Sequence, residues 1–167
     1  VPIVPIETSQ TQRRQSEHQG SQVTCLYSNV RSLPQASGEL QKLAHVHKPH
    51  FILLVETWLR ADAINPLIPK DYKVVVRLDR TVGSKGGGLL VLAQKHLLVD
   101  KLALANYNTP CVAEIVGYEF EGTRYILSYT PNSALAPKLF TALENYALDN
   151  PERADDTVYL GDFNAHN

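Results

Sequence analysis

Phe51-Ile52-Leu53-Leu54-Val55-Glu56-Thr57-Trp58 decides the fold of this chain. Its first five residues are apolar without alternation, the pattern of a strand covered on both faces. The run then passes directly into a carboxylate, Glu56. An ionised group at the end of such a strand is costly unless water, a partner or a metal ion meets it. One stretch therefore predicts a layered architecture and marks a point on its rim where chemistry can gather.

Working outward, Val23–Val30 reads as a strand ending in Ser28-Asn29. Ser32 starts a helix, with Pro34 in the first turn and Gln35 as capping-box partner. Leu33, Leu40, Leu43, Ala44 and His47 recur at helical spacing, and Pro49 closes the segment. Downstream, strands are predicted at Tyr72–Leu78, Gly88–Ala93, Leu97–Leu104, Cys111–Phe120 and Thr123–Tyr129, the last two joined by a Glu121-Gly122 hairpin turn. Pro137 opens a second helix with Leu139, Phe140, Leu143, Tyr146 and Ala147 on its inner face, and Asn150-Pro151 ends it. Thr157–Leu160 is the final strand. Strands interleaved with helices predict an α/β layered domain with mixed strand pairing. Residues 1–21, rich in Gln, Ser, Thr and Arg, read as a disordered leader or linker before a domain at 22–167.

The composition, 44% hydrophobic and 20% charged, is that of a soluble globular domain. There is no membrane-length apolar run and no secretory leader, so an intracellular, non-secreted protein with nuclear access is expected. The absence of methionine, even at position 1, suggests a fragment or an incomplete gene model. Cys25 and Cys111 both sit in apolar strand-like runs and read as buried reduced thiols. Net charge is −1, but residues 60–101 carry a local +4 and residues 102–167 a local −6. That split suits a site that holds a cation and meets a polyanion, although on composition alone solvated surface charge is the more common source.

The chain closes on Gly161-Asp162-Phe163-Asn164-Ala165-His166-Asn167. The Gly permits a sharp turn at a strand end, and Phe163 is expected to point inward. Asp162 and Asn164 then project together, a carboxylate that can take a proton beside an amide that can hold an oxyanion. Asn29, Glu56, Tyr129, Asp162 and Asn164 all fall at the ends of apolar strands. Singly each has an ordinary reading, as a turn residue, an exposed strand end or a core ring with a wet hydroxyl; together they point to one rim. His45, His47 and His50 do not make a metal cluster, because His45 and His47 face different sides of a helix. Gly86-Gly87-Gly88 lacks the ending of a nucleotide loop and reads as a flexible entry into a strand. Arg77, Arg80 and Lys85 flank it as candidate contacts to a nucleic-acid backbone, or as an exposed basic turn.

Ser28-Asn29-Val30-Arg31-Ser32-Leu33, Val55-Glu56-Thr57-Trp58-Leu59, Gly86-Gly87-Gly88, Tyr129-Thr130-Pro131-Asn132-Ser133 and Gly161-Asp162-Phe163-Asn164 together resemble the endonuclease/exonuclease/phosphatase superfamily. Arg77-Leu78-Asp79-Arg80 ahead of the triple glycine is similar to its apurinic-endonuclease-like branch in non-LTR retrotransposons. The resemblance implies a four-layer α/β/β/α sandwich of two mixed sheets, incomplete at its C-terminal end. It implies Mg²⁺-dependent phosphodiester hydrolysis, with Mn²⁺ as the alternative ion, and DNA as partner. On matching positions Glu56 is the metal carboxylate and Asn29 orients metal or phosphate. Tyr129 donates to or packs near the scissile phosphate, Asp162 orients or deprotonates water, and Asn164 stabilises the charged phosphorus centre.

Arg31 stands where the repair branch has a carboxylate, and Thr130 where the retroelement branch often has Arg. No residue matches the family's closing Ser-Asp-His motif, and His166 reads as a loop histidine. The isolated chain is therefore expected to be truncated, inactive and poorly soluble. The full-length polyprotein would carry a reverse transcriptase domain. Two alternatives stand beside a DNA-nicking retroelement endonuclease: another phosphoesterase of the superfamily, acting on phosphoinositide, sphingomyelin or nucleotides, and a non-catalytic nucleic-acid-binding remnant.

Overall fold

A computed structural model of the chain describes residues 4–7, 22–60, 67–80 and 86–164, with only the backbone described for 4–7. Two mixed sheets pack face to face, each with a helix on its outer side. The first contains β1 (Val4–Glu7), β2 (Thr24–Asn29), β3 (Phe51–Val55), β4 (Tyr72–Leu78) and β5 (Leu89–Gln94) in the order β1-β2-β3-β5-β4. The second contains β6 (Asp100–Lys101), β7 (Glu114–Phe120), β8 (Thr123–Tyr129) and β9 (Thr157–Asp162) in sequence order. Helix α1 (Leu33–His47) joins β2 to β3, and α2 (Ala136–Asp149) lies between β8 and β9. In both cases the joined strands are parallel neighbours, so each sheet holds one strand-helix-strand unit.

Three apolar layers follow from the side-chain periodicities. Phe51, Leu53 and Val55 point from β3 into the space between the sheets, where they meet Tyr118, Tyr125 and Leu127. The intervening Ile52 and Leu54 point the other way and pack under Leu33, Leu40 and Ala44 of α1. Every residue of β3 is buried, as its unbroken apolar run requires. On the far side Ile115 and Ile126 pack under Leu139, Leu143 and Tyr146 of α2. The expected four-layer α/β/β/α sandwich is therefore present. Stacked rings lock the two sheets at their centre, with Phe51 and Tyr118 centroids 4.6 Å apart and Tyr118 and Tyr125 4.9 Å apart.

Some local expectations need correction. Ser32 precedes α1, but at φ 105° its side chain makes no cap; its N–H donates to Glu56 O at 2.9 Å and its carbonyl accepts from the Ala36 N–H at 3.1 Å. The expected strand at Leu97–Leu104 shrinks to Asp100–Lys101, and Leu98 is 90% exposed. Cys111 is not a buried thiol: it is exposed in a turn at φ 61°, before β7 begins. Cys25 is half-buried, and burial pushes its thiol up to about 11. Phe163 packs against the α2 layer but stacks on Phe140, which is exposed rather than part of the inner face. Within the expected leader, Val4–Glu7 is a strand pairing antiparallel with β2; the rest of 1–21 lies outside the described residues. The hairpin at Glu121-Gly122 is as expected, with φ of 49° and 79° placing both residues in the left-handed region that a tight hairpin turn needs.

Gly161, at φ 153°, is the tightest point of the second sheet: a Cβ there would land on the Ser128 carbonyl oxygen of β8. Gly161→Ala is therefore expected to lower stability by about 3 kcal/mol or more, through strain and displaced backbone. Denaturant unfolding measures it, and a loss under about 1 kcal/mol would contradict this packing.

Candidate active site at the sheet rim

The parallel pairs β2/β3 and β8/β9 end at the same rim of the sandwich, and two hydrogen bonds cross between the sheets there. Tyr129 OH, at the end of β8, donates to Glu56 Oε1 just past the end of β3. Asn29 Nδ2, at the end of β2, donates to Asp162 Oδ2 at the end of β9, at 3.0 Å. Register explains the convergence, since Asn29 pairs with Val55 and Tyr129 with Asp162. Glu56, Asn29, Tyr129 and Asp162 thus form one constellation.

Each carboxylate is held at more than one point. Glu56 Oε2 accepts from Trp58 Nε1 at 2.7 Å, so both of its oxygens carry a donor. Asp162 Oδ1 accepts from the backbone N–H of Asn164 at 3.3 Å. Tyr129 is 2% exposed, and burial first, then the Glu56 carboxylate, drives its phenol pKa up, so it stays a donor. Asn164 Nδ2 donates to Thr130 O at 2.6 Å, leaving the amide's second hydrogen for another acceptor.

The backbone around Glu56 is strained. Arg31 (φ 43°), Ser32 (φ 105°), Glu56 (φ 58°) and Trp58 (φ 55°) are all non-glycine residues in left-handed territory. Such conformations cost about 1 kcal/mol or more each and persist where the surroundings hold them. Here the holding bonds are Leu33 N to Thr57 O (2.9 Å), Thr57 N to Gly88 O (3.2 Å) and Trp58 N to Gly87 O (3.1 Å).

The triple glycine leads into β5, as expected, and also packs against two carboxylates. A Cβ on Gly86 would come within 3.1 Å of Glu56 Oε2, and Gly87 sits against the Glu114 carboxylate. Gly88 N–H donates to Glu114 Oε2 at 2.7 Å. Glu56, Gly86, Gly87, Cys111, Glu114, Tyr129 and Pro131 line a cavity of about 370 Å³. Sequence reading missed Glu114 and Trp58. The available signal for Glu114 was a carboxylate inside an otherwise apolar run.

The other sequence candidates are placed differently. Arg77 is engaged: its guanidinium pairs with Asp79, with Nη2 to Oδ2 at 2.9 Å, and also donates to Arg60 O. Arg80 is partly buried, and its backbone N–H donates to Leu59 O at 3.2 Å. Lys85 and His166 lie outside the described residues. His50 Nδ1 accepts from the Thr24 N–H at 3.1 Å, a structural tie.

The oxygen donors at the rim fit a hard divalent cation. Asn29 Oδ1 is buried without a hydrogen-bond partner among the described residues, an orphaned acceptor next to Asp162 and one strand from Glu56. A Mg²⁺-like ion needs few protein oxygens and keeps its own waters. Glu56 and Asn29 would hold it. Among the described residues no group of three His, Cys, Asp or Glu side chains could do so, which leaves a sparse carboxylate-amide shell. Among these residues, too, no helix is long and apolar enough to cross a membrane.

Residues 26–167 match the model of the Endonuclease/Exonuclease/phosphatase family. Comparison with curated proteins gives no match. Among solved structures the chain is similar to a variant of the 3′ phosphatase NExo from Neisseria bound to product DNA hairpin, at 20% identity and TM-score 0.61, covering 84% of this chain and 57% of that one. It is similar to the human Nocturnin catalytic domain with bound sulfate, at 13% identity and TM-score 0.60, covering 86% and 64%. It is also similar to the endonuclease domain of TRAS1, a telomere-specific non-LTR retrotransposon, at 17% identity and TM-score 0.50, covering 85% and 60%. The chain thus spans little more than half of the first of these structures.

Glu114 gives a test of the cavity that is independent of catalysis. It is 5% exposed, and burial raises its carboxyl pKa from 4.5 to about 7, against the lowering effect of the Gly88 N–H. A raised folded-state pKa contributes stability that is complete below about pH 4.5 and is lost as pH rises through 7. Glu114→Gln keeps an acceptor for Gly88 and removes the titration. With a chelator present, the variant is expected to be more stable than the parent at pH 8 by roughly 1–3 kcal/mol, with the advantage vanishing toward pH 5. A difference that does not change between pH 5 and 8 would contradict the buried carboxyl.

Proposed function

The chain belongs to the Endonuclease/Exonuclease/phosphatase family, and on that premise we propose that it is the DNA-nicking endonuclease domain of a non-LTR retrotransposon, dependent on Mg²⁺ or Mn²⁺. The observation that carries the reading is the paired cross-sheet contact, Tyr129 to Glu56 and Asn29 to Asp162, which gathers the residue types phosphodiester hydrolysis needs. The retroelement assignment rests on the ordered motifs, in particular Arg77-Leu78-Asp79-Arg80 before the triple glycine.

A divalent ion at Glu56 and Asn29 supplies Lewis-acid polarisation of a phosphate oxygen when bound. Asp162, whose two oxygens accept from Asn29 Nδ2 and from the Asn164 N–H, orients an attacking water and takes its proton. The remaining hydrogen of the Asn164 amide is the donor for charge developing on the phosphate. Tyr129 and Trp58 keep both oxygens of Glu56 in one orientation. The proposed partners are DNA and, in a longer polyprotein, a reverse transcriptase domain, with nuclear access implied by a DNA target.

Activity is tested on a chain that carries the family's closing Ser-Asp-His motif, which no residue here matches. A chain extended to carry the motif should nick supercoiled plasmid with Mg²⁺, and Glu56→Gln or Asp162→Asn should reduce the rate at least about 10²-fold, near 2.7 kcal/mol of barrier. Nicking that survives both substitutions rejects the assignment. Cleavage of lipid phosphates but not plasmid points to another phosphoesterase, and DNA binding without cleavage to a remnant.

Trp58 acts on the ion only through Glu56. By calorimetric titration, Trp58→Phe is expected to bind Mg²⁺ about tenfold more weakly than the parent, the usual cost of losing a group that orients a metal ligand. Unchanged or tighter binding would show that the indole does not position the carboxylate.

A further inference from the structure

A larger cavity, of about 570 Å³, opens at the opposite end of the first sheet, where α1 ends, β4 begins and β5 ends. The five residues of β3 separate this end from Glu56, on the order of 17 Å at the rise of an extended strand. Ala44, Ile68, Pro69 and the Tyr72 ring give the cavity an apolar floor. The Tyr72 hydroxyl is turned away to donate to Pro49 O at 2.6 Å, and Gln94 Nε2 ties down the Lys48 and Pro49 carbonyls at 2.9 and 3.1 Å. The floor is therefore built rather than loose.

The rim carries basic side chains without partners among the described residues. His45, Lys48, Lys70 and His96 line it, with Asp71 the single acid. Among the described residues none of those four side chains makes a hydrogen bond or ion pair, so all four are available to a ligand. Lysine ammonium groups and imidazole N–H groups around an apolar floor complement a ligand with a flat body and an anionic group.

We propose that this cavity is a second binding site, distinct from the Glu56 site, for a phosphate ester carrying a planar base: a nucleotide, free or as one unit of a nucleic-acid strand. The base would lie against Tyr72, Pro69 and Ile68, and the phosphate would be met by Lys48 and Lys70. The inference does not depend on catalysis at Glu56.

The test uses the full chain with Glu56→Gln, so that cleavage is out of play, in chelator. AMP, adenosine and a short single-stranded oligonucleotide are titrated while the His45 and His96 ring signals are followed by NMR. Expected is saturable perturbation of both rings by AMP or the oligonucleotide, at least tenfold weaker for adenosine and at least tenfold weaker in Lys48→Gln/Lys70→Gln. A response to AMP alone identifies a free nucleotide as the source of the phosphate. A response to the oligonucleotide alone identifies a strand. Binding that is equal for adenosine, unchanged by the double substitution, or absent for both phosphate ligands overturns the proposal. Thermal unfolding of the double variant, whose changed residues are both exposed, controls for folding.

Discussion

Two hydrogen bonds that cross from one sheet to the other hold this site together, and the rest of the arrangement follows from what they need. Tyr129 to Glu56 spans 73 residues of chain and Asn29 to Asp162 spans 133. Hydrogen bonds to charged groups contribute about 1.5–3 kcal/mol each, and more is lost when one partner is left buried alone. Neither contact forms unless the two strand-helix-strand units present their carboxyl ends at the same rim. The stacked rings of Phe51, Tyr118 and Tyr125 fix the sheets in that relation from inside.

Around Glu56 the backbone is pulled from three directions: by the turn into α1, by the Thr57-Trp58 segment and by the glycines ahead of β5. Glycine at 86 leaves room for the Glu56 carboxylate, and glycine at 87 leaves room for that of Glu114. The left-handed residues flanking Glu56 show where strain is stored, and they lie where the side chain must be aimed. Packing, strain and electrostatics thus converge on one carboxylate, and the proposed cation site sits there rather than among the histidines near the end of α1.

Much of this is legible in the sequence for identifiable reasons. β3 is readable because it has no alternation, β4 and β8 because their lengths are bounded by turn residues, and the β7–β8 hairpin because Glu121-Gly122 accepts left-handed φ. Asn29, Glu56, Tyr129 and Asp162 can be picked out because each is a polar residue leaving an apolar run. Their partners cannot, because register between strands far apart in the chain decides them. Glu114 and the triple glycine meet only through tertiary packing, so a carboxylate in a strand and a flexible-looking loop give no hint of each other. Cys111 misleads because a short apolar run looks the same in a strand and in a turn just before one. Ser32 fails as a cap because at φ 105° its hydroxyl makes no bond to the helix, although its carbonyl accepts from the Ala36 N–H at 3.1 Å.

The central claim is that one oxygen-lined position, bounded by Asn29, Glu56, Tyr129 and Asp162, takes a divalent ion. Paramagnetic line broadening by Mn²⁺ in the amide NMR spectrum tests it most directly. The account predicts that signals of those four residues and of Gly86–Gly88 broaden first, at the lowest Mn²⁺ level, while those of Lys48 and His96 stay sharp. Broadening that begins at the far end of the first sheet, or that spreads without a centre, would contradict it.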